Sequence, residues 1–146
     1  MGRTADGTDK LNKLLRGEIA AIETYRQALE RLDDAKNATE IRRLHDEHIQ
    51  AANMLRRHIH GHGGKPEKES GVWGSFAKAV EGTAKLFGNE AAITALKDGE
   101  QHGVSDYESA LKDADLPADC KEMIQSKLLP QTRAHIPVLE HLMASA

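Results

Sequence analysis

Glutamate and histidine stand in this chain where helical periodicity asks for core residues. From Thr8 to Leu32 the apolar positions Leu11, Leu15, Ile22, Leu29 and Leu32, with Tyr25 among them, advance in steps of four and three. The same steps require a core residue at position 18, which is Glu18. In a second segment Ile41, Leu44, Ala51 and Leu55 require one at His48, and in a third Ile93, Leu96, Val104, Tyr107 and Leu111 require one at Glu100. In the last segment, Ile124, Leu128, Val138 and Leu142 leave Gln131 and His135 on the stripe. Each long helix therefore carries a polar interruption, in the order glutamate, histidine, glutamate, histidine.

Burying an unpaired carboxylate costs several kcal/mol. Two carboxylates and two imidazoles in one layer call for a compensating charge, and a divalent metal supplies it. Carboxylate and imidazole together are a ligand set that Fe, Mn and Zn accept. His45, three residues before His48, shares its helix face and extends the set. The competing expectation is a metal-free Glu–His layer held by mutual pairing.

Height along the helices adds two substitutes. Counted from a break near residue 35, Glu18 lies about five residues further out than His48, or roughly 7 Å. Glu23 is more nearly level with His48 on that count, and Gln131 is more nearly level with Glu100 than His135 is.

The elements that must position these residues follow from the breaks. Residues 1–7 show no periodicity and are expected to fray, leaving 8–146 as a single domain. Asp33–Asn37 is a polar break short enough to join antiparallel helices, and Gly61–Gly64 ends the second helix. Asp113–Leu116 breaks the third, and Pro117 suits the first turn of the fourth. Pro130 and Pro137 are expected to bend or interrupt that last helix.

Two hairpins result, 8–62 and 89–144, joined by a crossover at 63–88. Within it Trp73, Phe76, Val80, Ala84 and Phe87 predict a short extra helix. The hairpins look like repeats, since Gly17-Glu18 precedes Tyr25 at the spacing by which Gly99-Glu100 precedes Tyr107. No strand-like alternation occurs. The predicted fold is an all-α, ferritin-like four-helix bundle of two repeated hairpins with one long crossover.

Composition narrows the function. Twenty basic and 23 acidic residues among 146 give a net charge of −3, which offers nucleic acid no electrostatic footing. The longest apolar run, Ile19–Ile22, is far short of a membrane span or a signal-peptide core, and a cytoplasmic location is expected. The single cysteine, Cys120, excludes an internal disulfide and a multi-cysteine metal site. His58, His60 and His62 cannot all share one helix face, and they read as decoration of a helix end. An exposed Trp73–Phe76 surface would mark a homodimer contact.

Gly17-Glu18-Ile19-Ala20-Ala21-Ile22-Glu23-Thr24-Tyr25, and Gly99-Glu100 through Tyr107, resemble the first and third helices of rubrerythrin-type proteins. Asp46-Glu47-His48 and Thr132–His135 fall where that family carries Glu-x-x-His motifs. Over residues 9–144 the chain is similar to a group of bacterial ferritin-like proteins of unknown function. The resemblance implies a bundle with an iron or related metal centre, and chemistry on oxygen or peroxide. His45 and Thr132 stand where the family's bridging glutamates would be, so a mononuclear or degenerate site is implied rather than a six-ligand di-iron centre. The rubredoxin-like cysteine pairs of rubrerythrins are missing, so a redox cycle would need an external electron donor. The alternative is a non-enzymatic stress-response or interaction bundle whose metal layer has decayed to a polar network.

Overall fold

Apolar residues three and four apart, with few β-branched residues between them, favour helices that bury one stripe. The computed structural model describes residues 2–31, 35–69 and 89–145, with side chains over 8–30, 37–69 and 90–144. Among these residues it is all-α, without a strand. Helix α1 spans Gly2–Arg31, α2 Ala35–Gly61 and α3 Asn89–Leu111. The last arm is α4 (Ala118–Met123), a π-helical turn (Ile124–Leu128) and α5 (Leu129–Ser145), which run on without a break in helical backbone. Helix α1 starts at Gly2 rather than at the expected Thr8. The short helix expected around Trp73–Phe87 lies outside the described residues.

The arms pack as two hairpins, α1 on α2 and α3 on α5, joined chiefly through α1 and α3. The start of the crossover lies against α1. Gly63, at φ +81°, ends α2 in the left-handed region that favours glycine. A Cβ on Gly64 would stand 2.7 Å from the Thr8 side chain, so the close approach requires glycine there. The buried Asn12 then donates to the Lys65 carbonyl (2.9 Å) and accepts from the Glu67 N–H (2.8 Å).

The apolar core is in two parts. One gathers Leu11, Leu15, Leu55, Ile59, Tyr107, Cys120, Ile124 and Leu128, and the other Tyr25, Ile41, Leu44, Ile93, Leu96, Leu139 and Leu142. Along the helices, Glu18, His48, Glu100 and His135 fall between them. No helix among the described residues is long and apolar enough to cross a membrane.

The π turn changes the phase of the last arm. Uninterrupted α spacing from Cys120 and Ile124 leads to Gln131 and Val138, the positions expected from sequence. The structure buries His135 and Leu142 as expected, but Thr132 and Leu139 take the places of Gln131 and Val138, which lie at the margin. The Leu129 N–H reaches back five residues to the Ile124 carbonyl, which adds one residue to that turn. The turn sits where the ring of Pro130 would press on the Ser126 carbonyl. Pro137 is tolerated within α5 on its exposed side.

Deleting the exposed Ser126 should restore α spacing and rotate α5 by about 100° relative to α4. Either the Cys120–Ile124 face or the His135–Leu139 face must then leave the core. Urea unfolding should show a loss of more than about 3 kcal/mol. A deletion variant within about 1 kcal/mol of wild type would show that the turn does not set the phase.

Candidate functional site

Helix ends decide which residues meet. Glu18 lies 13 residues before the end of α1 at Arg31, and His48 lies 13 residues after the start of α2 at Ala35. The hairpin is thus centred near residue 33 rather than 35, and Glu18 is level with His48. Both Glu18 carboxylate oxygens face His48 Nδ1, at 2.9 and 3.3 Å. Glu23 and His45 stand outside the donors that converge, and His45 is directed to Asp46 at 3.1 Å. In the second hairpin the α4 end lies beside the C-terminal end of α2, where Cys120 meets His58. Counting from the 112–117 connection therefore misjudges height, and His135 rather than Gln131 reaches Glu100.

Glu18, His48, Glu100 and His135 are none of them more than 5% exposed. They form a chain in which carboxylate and imidazole alternate. His48 turns Nδ1 to Glu18 and Nε2 to Glu100 (2.8 Å). His135 turns Nδ1 to the same Glu100 oxygen (3.0 Å) and Nε2 to Glu47 (2.8 Å). The two rings lie edge to face at 4.9 Å. Tyr25 of the first hairpin donates to Glu100 of the second, and Tyr107 of the second donates to Glu18 of the first (3.2 Å). That reciprocal exchange is what a repeat predicts.

Sequence reasoning missed Glu47 as a participant. It is half-buried on the flank of α2 that faces α5, off the apolar stripe, so periodicity gave no signal for it. Gln131 supports Glu47 by a hydrogen bond, and Arg43 pairs with it at 2.9 Å. Burial raises the Glu47 carboxyl, but His135, Gln131 and Arg43 outweigh it and hold it below its ordinary value. Thr132, where a bridging glutamate would stand, gives its hydroxyl to the Leu128 carbonyl at 2.7 Å.

In the metal-free layer the charges compensate one another. Burial pulls the His48 pKa down, but Glu100 and Glu18 outweigh it and hold it well above the usual range. Burial pushes the Glu100 carboxyl up, but His48 and His135 bring it down to about 2. Burial, with the charge of Glu100 for Tyr25 and of Glu18 for Tyr107, raises both phenols, so they remain donors. One atom is left over: the buried Glu100 Oε1 has no hydrogen-bond partner.

Three donors, one each from His48, Glu100 and His135, lie within 4.8 Å of one another. A cavity of about 40 Å³ adjoins them, lined by Glu18, Glu100, both tyrosines, Thr132 and Asp106 among others. Burial raises the Asp106 carboxyl. A second convergence joins His58, His62, Asp119 and Cys120, while His60 is exposed and apart. Burial and the charge of Asp119 push the Cys120 thiol up to about 12, which keeps it protonated at neutral pH in the metal-free protein.

A family profile described as "Domain of unknown function (DUF2383)" matches residues 6–113. The matched stretch holds Glu18, Glu47, His48 and Glu100, and His135 lies beyond it. No curated protein and no solved structure matches the chain.

The metal-free layer sets a pH window. The contribution of Glu100 is present above its ordinary value of 4.5 and is lost as pH falls towards about 2. That of His48 is present below its ordinary value of 6.5 and is lost as pH rises towards its raised folded value. Urea unfolding of chelator-treated protein should show wild type exceeding Glu100→Gln by most between about pH 4.5 and 6.5. A difference that does not vary with pH would contradict the ionised layer.

Proposed function

Because the chain belongs to the DUF2383 family, a domain of unknown function, we propose its function from the site itself: a ferritin-like metal-binding bundle with a mononuclear Glu/His centre. We take 8–146 as one domain. The ligands in this reading are His48 Nε2, His135 Nδ1 and the Glu100 carboxylate. One observation carries it: each imidazole presents one nitrogen to Glu100 while a separate carboxylate, Glu18 or Glu47, takes the other. A carboxylate behind each imidazole fixes the tautomer and orients the ring for a metal, as outer-sphere partners of histidine ligands do. The orphaned Glu100 Oε1 is a donor with nothing else to satisfy it.

Two imidazoles and one carboxylate suit Fe or Mn, which would supply redox chemistry with open positions for oxygen or peroxide, and also Zn, which would supply Lewis acidity. The chain's own residues do the rest. Tyr25 and Tyr107 hold Glu100 and Glu18 in place. The 40 Å³ cavity has room for a species of a few atoms, not for a bulky substrate. With one cysteine in the chain, electrons for any redox cycle come from an external donor.

A second reading rests on the same layer. All four ring nitrogens of His48 and His135 already meet carboxylates, so a metal-free polar network would be nearly satisfied. Metal analysis of untagged wild type and Glu100→Gln separates the two. The metal-centre reading predicts that wild type holds about one equivalent more Fe, Mn or Zn than the folded variant. Glu18→Gln and Glu47→Gln should each weaken binding by about 10–100-fold without unfolding the chain. Equal metal content in wild type and Glu100→Gln would favour the polar network.

A further inference from the structure

A second set of donors meets where α2 ends and α4 begins, away from the central layer and across the apolar cluster of Leu55, Ile59 and Ile124. His58 and His62 are four residues apart at the end of α2, where the chain turns at Gly61–Gly63. Asp119 and Cys120 are adjacent in the first turn after Pro117. Cys120 Sγ lies 3.6 Å from His58 Nδ1, which lies 3.3 Å from Asp119 Oδ2. His62 Nε2 lies 3.1 Å from each Asp119 carboxylate oxygen.

We propose that His58, His62, Asp119 and Cys120 form a structural site for a thiophilic divalent cation of the zinc class. Tetrahedral coordination at about 2.0–2.3 Å puts neighbouring donors about 3.3–3.8 Å apart. The Cys120–His58, His58–Asp119 and His62–Asp119 separations are near that range, and all four donors lie within 4.8 Å of one another. One thiolate, two imidazoles and one carboxylate are all donors zinc takes, and four protein ligands make a closed site rather than a catalytic one. The cysteine is buried while both histidines are half-buried and the aspartate is exposed, so the cation has a route in from an open groove beside α2. Without a cation, two imidazoles and the thiol all lean on one exposed carboxylate, and the thiol adds a long contact to His58. On binding, the thiol proton leaves to solvent as Sγ becomes a ligand. Residues 57 to 62 positions apart in sequence are then tied together, which fastens the second hairpin to the first.

Cobalt(II) titration of the reduced full-length protein tests this independently of the central layer. Cys120 is the single cysteine, so a thiolate-to-cobalt charge-transfer band in the near ultraviolet reports this site alone. In Glu100→Gln protein, where the central layer does not compete for cobalt, the band should saturate at about one equivalent and bleach when zinc displaces cobalt. Cys120→Ser should abolish it. His62→Ala and Asp119→Asn, at half-buried and exposed positions, should each weaken cobalt binding at least about tenfold. No band with excess cobalt, or a band whose affinity is unchanged in both of these variants, would overturn the proposal.

Discussion

The carboxylate of Glu100 is the constraint on which the rest of the bundle depends. It is buried among four helical arms, so its charge must be met within the layer. Three donors converge on one of its oxygens: the Tyr25 hydroxyl, His48 Nε2 and His135 Nδ1. They come from α1, α2 and α5, while Glu100 itself stands on α3. One side chain thereby fixes the mutual height of all four arms. Glu18 and Glu47 sit at the outer ends of the chain and hold the two imidazoles from behind.

This arrangement explains why the apolar core is divided. A cluster on each side of the layer shields it from water, and each supplies one tyrosine that reaches across to the other hairpin's glutamate. The hairpins differ at the layer as well as in the π turn of the last arm. Thr132 turns its hydroxyl to its own helix, and Glu47 answers His135 from a flank of α2. The departure from repeat symmetry leaves one imidazole pair and one central carboxylate, the three groups that the proposed single ion would use.

Helical periodicity made much of this legible. The all-α bundle and the four polar residues that interrupt its stripes follow from apolar steps of four and three. Those four residues meet in one layer because the hairpin arms bring their stripes together. Height was harder to read. Whether Glu18 or Glu23 faces His48 depends on where α2 begins, and polar residues near a helix start, such as Asn37, can lie inside the helix. The phase of the last arm was hidden for a different reason. A π turn has no apolar signature, so the exchange of Gln131 for Thr132 and of Val138 for Leu139 on the buried face could not be read from spacing. Glu47, His58, His62 and Asp119 lie off the stripe, and their contacts appear only once the arms are packed.

The central claim is that the layer is built around an ion rather than around its own hydrogen bonds. A crystal of Cys120→Ser protein loaded with iron or zinc, with anomalous scattering collected at the metal's absorption edge, addresses it most directly. The account predicts an anomalous peak bounded by His48 Nε2, His135 Nδ1 and the Glu100 carboxylate, about 2.0–2.2 Å from each. Glu18 and Glu47 should remain on the far ring nitrogens. Metal-loaded crystals with no peak in the layer, and with both imidazoles still hydrogen-bonded directly to Glu100, would contradict it.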